Sequence, residues 1–213
     1  MKYHQLLEII GGDSLFETEL LLAGVRDPQA LQRQLSRWVR SEKLIKLRRG
    51  LYVVPAPHRV RPPDPFEVSN RLVRPSFVSM ESALHIYEMI PDVPFGVTAV
   101  TTGRTGTHRT PMGTYVYHHV GPTRFWGFEE REIAPGRRAY LATPERALLD
   151  LLYLSPGSDS PAYLRQLRLQ NMDRLDAELL ERMTERFAVP KVIRAVGTIR
   201  DMARDDADGW VTL

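Results

Sequence analysis

Long polar and cationic side chains recur between Gln29 and Arg49 at spacings suited to reading a polyanion. At about 100° of rotation per helical residue, Gln29, Arg33, Ser36, Arg37 and Arg40 share one side of a helix over residues 28–41. Leu31, Leu35, Trp38 and Val39 form an apolar stripe on the other side. A helix seated in the major groove of DNA needs such groups, because a guanidinium matches the guanine edge and a glutamine amide matches adenine. Gln29, Gln32, Arg33, Ser36 and Arg37 are therefore the candidate base-facing residues, and Arg40, Lys43, Lys46, Arg48 and Arg49 the candidate phosphate and wing contacts. The charge is local. From Arg26 to Arg49 eight cations stand against Asp27 and Glu42, whereas the whole chain carries only +3, so the remainder is slightly acidic. A field concentrated in this way attracts a phosphate backbone through counterion release. A solvated basic face on a three-helix protein-interaction module would carry the same charge pattern.

Outside this stretch the residues offer little chemistry. Without cysteine there is no thiol nucleophile, no thiolate-bound zinc and no disulfide. His118 and His119 are neighbours on an expected strand and point to opposite faces, and His85 lies on an apolar helix without companion ligands, so no metal site is expected. Gly103-Arg-Thr-Gly-Thr-His-Arg109 lacks the lysine and the following helix of a phosphate-binding loop and reads as a hairpin tip. None of the four lysines has a carboxylate two residues before it, as a common type of metal-dependent nuclease requires, and Glu129, Glu130 and Glu132 read as surface charges beside a turn. Tyr115, Tyr117, Phe125, Trp126 and Phe128, interleaved with Arg124, Arg131, Arg137 and Arg138, suit stacking on single-stranded nucleic acid. They also suit the buried face of a sheet, which accounts for most of the aromatics more simply. No catalytic residue and no cofactor is expected.

The elements that must position the basic face follow from caps and periodicity. Leu6, Leu7, Ile9 and Ile10 predict a short helix stopped by Gly11-Gly12, and Asp13 or Ser14 would cap a second through Leu15, Phe16, Glu19, Leu20 and Leu21 to Gly24. After a turn at residues 25–27, Asp27-Pro28 starts the third helix. Residues 44–48 and 51–54, joined by Arg49-Gly50, predict a hairpin with Tyr52 packed beneath it. Three helices and a basic hairpin make a winged helix-turn-helix over residues 1–56. Prolines then mark a linker at 57–65 before a second domain over 66–213. In that domain, helices are expected at 66–73 and, capped by Ser79, at 80–90. Strands at 97–102, 115–120, 124–128 and 137–141 would form a small antiparallel sheet. Thr143-Pro144-Glu145 opens a helical part from about 144, continued at about 162–169, 175–187 and 190–204. The fold class is α+β.

Three segments, Leu47-Arg-Arg-Gly-Leu-Tyr-Val53, Ser79-Met-Glu-Ser-Ala-Leu-His85 and Thr143-Pro-Glu-Arg-Ala-Leu-Leu-Asp150, in this order and spacing, resemble the AbiEi-type antitoxins of bacterial type IV toxin-antitoxin systems. The resemblance covers about residues 5–155. It implies a winged helix-turn-helix coupled to a larger C-terminal antitoxin domain, in a protein that is not an enzyme. Such a protein represses its own promoter by binding inverted repeats in double-stranded DNA, and counteracts a co-encoded nucleotidyltransferase-like toxin with or without touching it. On the residues alone, the third segment is first a capped helix start in which Arg146 and Asp150 are spaced to pair. No apolar run approaches the ~20 residues of a membrane span and no apolar leader follows Met1, so a cytoplasmic protein without a membrane partner is expected. Two alternatives keep the DNA-binding unit: a stand-alone regulator whose second domain senses a ligand or dimerises, and a nucleic-acid-processing enzyme.

Overall fold

The computed structural model describes residues 1–22, 27–59 and 61–209. Helix α1 (Tyr3–Ile10) buries Leu6 and Ile10 and stops at Gly11, whose φ of 60° lies in the left-handed region that glycine enters without steric cost. The chain then departs from expectation. Leu15–Glu17 form a strand, β1, and the second helix α2 is only Thr18–Leu22. The strand form lets adjacent apolar residues serve opposite faces: Leu15 packs in one core while Phe16 stacks on Tyr52 in another. Leu20, counted in the expected helical stripe, is 53% exposed. The expected stop at Gly24 and the turn at residues 25–26 lie outside the described residues.

Helix α3 (Pro28–Arg40) begins as its cap predicts, with the Asp27 carboxylate accepting the Ala30 N–H at 2.9 Å and Pro28 in the first turn. Leu31, Leu35 and Trp38 are buried, and Trp38 meets the Tyr3 ring edge-on at 5.5 Å. Strands β2 (Ile45–Arg48) and β3 (Leu51–Val53) follow, and β1 pairs on the far side of β3 to give a three-stranded antiparallel sheet in the order β1-β3-β2.

The second part is α+β around a six-stranded sheet. Helix α4 (Pro65–Leu72), capped by Asp64, precedes β4 (Ser76–Val78) and α5 (Met80–Ile86). Strands β5 (Val97–Thr101), β6 (Gly106–Thr110), β7 (Gly113–His119), β8 (Phe128–Ala134) and β9 (Arg137–Ala142) complete it in the order β6-β7-β5-β4-β9-β8. The sheet is mixed, not antiparallel as expected, because β4 runs parallel to β9 and β5 parallel to β7. Three local readings change with it. Residues 106–109 of the expected hairpin tip belong to β6; the expected strand at 124–128 is a 3₁₀ turn at Pro122–Arg124 followed by irregular chain; and Glu129, Glu130 and Glu132 lie along β8. Strand β4 is too short to show a period of its own.

Helices α6 (Pro144–Leu154), α7 (Pro161–Leu167), α8 (Ala177–Phe187) and α9 (Pro190–Gly209) form the tail. Packed against α5, α8 and α9, α6 is buried on more than its apolar side: Glu145, Arg146 and Asp150 are inside as well. The Arg146 guanidinium donates to both Asp150 oxygens at 2.9 and 2.7 Å, and the Ser79 hydroxyl donates to the same carboxylate at 2.7 Å. The rings of Phe77, Trp126 and Phe187 surround the cation at 5.6, 4.8 and 5.0 Å. Burial pushes the Asp150 carboxyl up, and Arg146 and Ser79 pull it back toward ionisation. Gly127, at φ 77°, makes room, since a Cβ there would stand 3.0 Å from the Arg146 stem.

The two parts share apolar packing. Leu15, Leu51 and Val53 belong to the same buried core as Val68, Leu72 and Phe77. Polar contacts ring this junction. Arg137 reaches Asp13 at 2.6 Å and Glu67 at 3.1 Å, Arg71 pairs with Glu67 at 2.8 Å and donates to the Leu15 carbonyl at 2.9 Å, and Arg74 pairs with Glu17 at 3.1 Å. Burial pushes the Glu67 carboxyl up against the opposing pull of Arg71 and Arg137.

Candidate nucleic-acid interface

The outward face of α3 gathers Gln29, Gln32, Arg33, Ser36, Arg37 and Arg40 around one shallow concavity of about 650 Å³. All six are exposed, because Leu31, Leu35 and Trp38 turn the opposite face inward. Few of their polar groups are spent. The Ser36 hydroxyl donates to the Gln32 carbonyl at 2.9 Å, Arg37 donates to the Gln34 side chain at 2.5 Å, and Arg33 stands 3.6 Å from Asp27 with both side chains more than half exposed. The Gln32 amide points to the Tyr52 hydroxyl at 3.4 Å, tying the face to the sheet beneath it.

The phosphate candidates divide. Arg40, Lys43, Lys46 and Arg49 are exposed. Arg48 is turned inward: its Nε and Nη2 donate to the Arg71 carbonyl at 3.3 and 2.9 Å, its Nη1 to the Arg49 carbonyl at 2.9 Å, and Nη2 also meets Glu17 at 3.4 Å. A register shift in β2 between Lys46 and Arg48 separates these two side chains. The hairpin tip is pinned by Thr18, whose N–H donates to the Gly50 carbonyl at 2.8 Å, and Gly50 takes a φ of 83°. Tyr52 is buried under the hairpin and stacks on Phe16 at 5.8 Å.

Two residues that periodicity does not single out join this surface. Tyr3 donates its hydroxyl to the Lys43 carbonyl at 2.9 Å and lies 5.6 Å from the Lys43 ammonium, and the His58 ring packs edge-on against Tyr3 at 5.4 Å. They come from opposite ends of the segment, so no local pattern in the sequence links them.

Elsewhere the polar candidates are engaged within the fold. Glu130 pairs with Arg138 at 3.2 Å, Glu129 with Arg131 at 3.5 Å, and Glu132 accepts the Gly136 N–H at 2.9 Å. His119 lies 2.8 Å from the Gly103 carbonyl and is exposed, whereas His118 is half-buried. Tyr115 and Tyr117 are buried and offer no face for a base to stack on. Among the described residues no three His, Asp or Glu side chains stand together to hold a metal ion, and no helix is long and apolar enough to cross a membrane. No family model matches the chain, and no curated protein sequence matches it.

Proposed function

We propose that residues 1–56 are a winged helix-turn-helix that binds duplex DNA, with α3 in the major groove and the β2–β3 hairpin as the wing. The observation that carries this reading is the single open face of α3. There Gln29, Gln32, Arg33, Ser36, Arg37 and Arg40 converge without apolar interruption, beside the exposed cations Lys43, Lys46 and Arg49. A helix of 13 residues is about 20 Å long, and the major groove, about 12 Å wide, accepts a helix of ordinary diameter. Arginine and glutamine at its exposed positions supply the donors that distinguish bases, and the flanking cations supply phosphate contacts.

Within this reading the protein is a cytoplasmic antitoxin of the type IV kind and a repressor of its own promoter, acting against a nucleotidyltransferase-like toxin and catalysing nothing. That part rests on the resemblance of the segments at residues 47–53, 79–85 and 143–150 to the AbiEi-type antitoxins. The expected linker is shorter than residues 57–65, since Asp64 and Pro65 open α4, and residues 66–213 carry the antitoxin role.

The decisive experiment has two arms. Arg33→Glu and Arg37→Glu each replace one exposed cation with an acid, so each should abolish gel-shift binding to the upstream repeats while the melting temperature stays at the wild-type value. Unchanged affinity refutes the assignment of α3 as the reading helix. Co-expression with the adjacent gene, scoring growth and promoter activity together, tests the antitoxin role; a chain that regulates the promoter yet rescues no growth defect is a stand-alone regulator.

A further inference from the structure

A cleft of about 1050 Å³ opens at the junction of the two parts, with Arg71 of α4 and Arg74 just beyond its end along one wall and Phe128, Arg138 and Tyr140 of β8 and β9 along the other. We propose that this cleft binds a small aromatic anion, a ring bearing a carboxylate or a phosphate, and that its occupancy loosens the hairpin.

The aromatic half of the site is already built. Phe128 is held in place by stacking on Phe77, with centroids 4.5 Å apart and planes 14° from parallel. Tyr140 meets Phe128 edge-on at 5.9 Å yet remains 46% exposed, an unusual position for a large ring on a sheet face. A fixed ring beside an open one is a preorganised shelf for a flat ligand.

The anion half comes from guanidinium donors that are only lightly used. Each arginine has five N–H donors. Among the described residues Arg74 makes one carboxylate contact, to Glu17 at 3.1 Å, and Arg138 makes one, to Glu130 at 3.2 Å, with side chains 58% and 66% exposed. The Arg138–Glu130 contact joins two exposed side chains and exchanges readily, and the Arg74–Glu17 contact to a carboxylate only 19% exposed is still a single one, whereas a ligand carboxylate or phosphate can take two parallel bonds from one guanidinium. Four carboxylates also line the cleft: Glu67 and Asp13 are paired with Arg71 and Arg137, Glu130 with Arg138, and Glu132 accepts the Gly136 N–H, so an anion is received by Arg74 and by the remaining donors of Arg138.

The cleft is also wired to the hairpin. Glu17 accepts from Arg74 at 3.1 Å and from Arg48 at 3.4 Å, and the next residue, Thr18, holds the Gly50 carbonyl at the tip. An anion that draws Arg74 away leaves Glu17 with Arg48 alone. This coupling rests on the DNA-binding reading; the ligand site does not.

Calorimetric titration of the full chain with phenyl phosphate, benzoate, inorganic phosphate and benzylamine tests the site. Phenyl phosphate or benzoate should bind at least about tenfold more tightly than inorganic phosphate or benzylamine, and the Arg74→Ala/Arg138→Ala double variant should lose about tenfold in affinity. Glu17 keeps Arg48 as a partner, so this variant should stay folded with at most a small drop in melting temperature; Tyr140→Ala should weaken the aromatic ligands and leave inorganic phosphate unchanged. The site is overturned by a preference for benzylamine, by equal binding in the double variant, or by no saturation below about 10 mM of either aromatic anion. For the coupling, saturating phenyl phosphate should weaken gel-shift affinity at least about threefold in the wild type and not in the double variant. DNA binding that ignores the ligand overturns the coupling. Failure of the ligand-free protein to bind DNA overturns the DNA reading and the coupling with it, while the titration still decides the site.

Discussion

Arg146 bears a full charge at zero exposure, and the surrounding residues explain how the fold tolerates it. Its Nε and Nη2 donate to Asp150, whereas Nη1 is buried without a hydrogen-bond partner, so the charge there is met only by Asp150 and by the three aromatic rings around the guanidinium. Removing one partner strands the other in the core. Arg146→Ala and Asp150→Ala should each lower stability by about 3–5 kcal/mol. In a chain of this size that corresponds to a drop of roughly 6–20 °C in the calorimetric midpoint. Arg146→Lys should recover little, because a lysine ammonium cannot make the paired bonds of a guanidinium fork. A loss below about 1 kcal/mol in the alanine variants would show that the pair is dispensable. The spacing of Arg146 and Asp150 on one helix was legible in the sequence. Their burial was not, since it depends on Ser79, Gly127 and Phe187 arriving from three distant segments.

At the scale of elements, the β2–β3 hairpin sorts two adjacent arginines into different roles. Arg49 is exposed and free to meet a phosphate, whereas Arg48 is spent on the Arg71 carbonyl and on Glu17. On the proposed DNA-binding role, Arg49→Ala should reduce the salt slope of binding by about 1, the signature of one lost phosphate contact. Arg48→Ala should leave that slope unchanged and instead lower the melting temperature. Filter binding across a salt series with both variants checks this, and a slope change confined to Arg48→Ala would reverse the assignment. The helix phase of α3 was readable because its apolar residues recur at helical spacing and Asp27-Pro28 marks the start. Strand β1 was not, because Leu15 and Phe16 are adjacent apolar residues whose alternation only makes sense once a core lies on each side.

For the whole molecule, the proline-rich segment does not separate two independent cores. Leu15, Leu51 and Val53 fill space against α4 and β4, and the Asp13–Arg137–Glu67–Arg71 cluster closes over that contact. A fragment of residues 66–213 should consequently be less stable than the full chain and should bind hydrophobic dyes at the face it uncovers. Arg137, with a side chain 14% exposed and two carboxylate partners, gives a finer test. Arg137→Ala should cost about 1.5–3 kcal/mol in urea unfolding, and in a double-mutant cycle with Asp13→Ala the two losses should not add. Additive losses would mean that the cluster does not bridge the parts.

The sequence by itself determined the α+β class, the capped starts of α3 and α6, the tail helices, and the face of α3 on which polar side chains collect, while the Asp64 cap of α4 lay hidden in the proline-rich stretch. These are local properties, written in caps and in periods of three to four residues. Only the tertiary structure decided that the six-stranded sheet is mixed, that Arg48 turns inward while Arg49 does not, and that Tyr3 meets both Lys43 and His58. Each of those depends on partners far away in the chain, and a side chain's role is set by whether such a partner claims it before solvent or a ligand does.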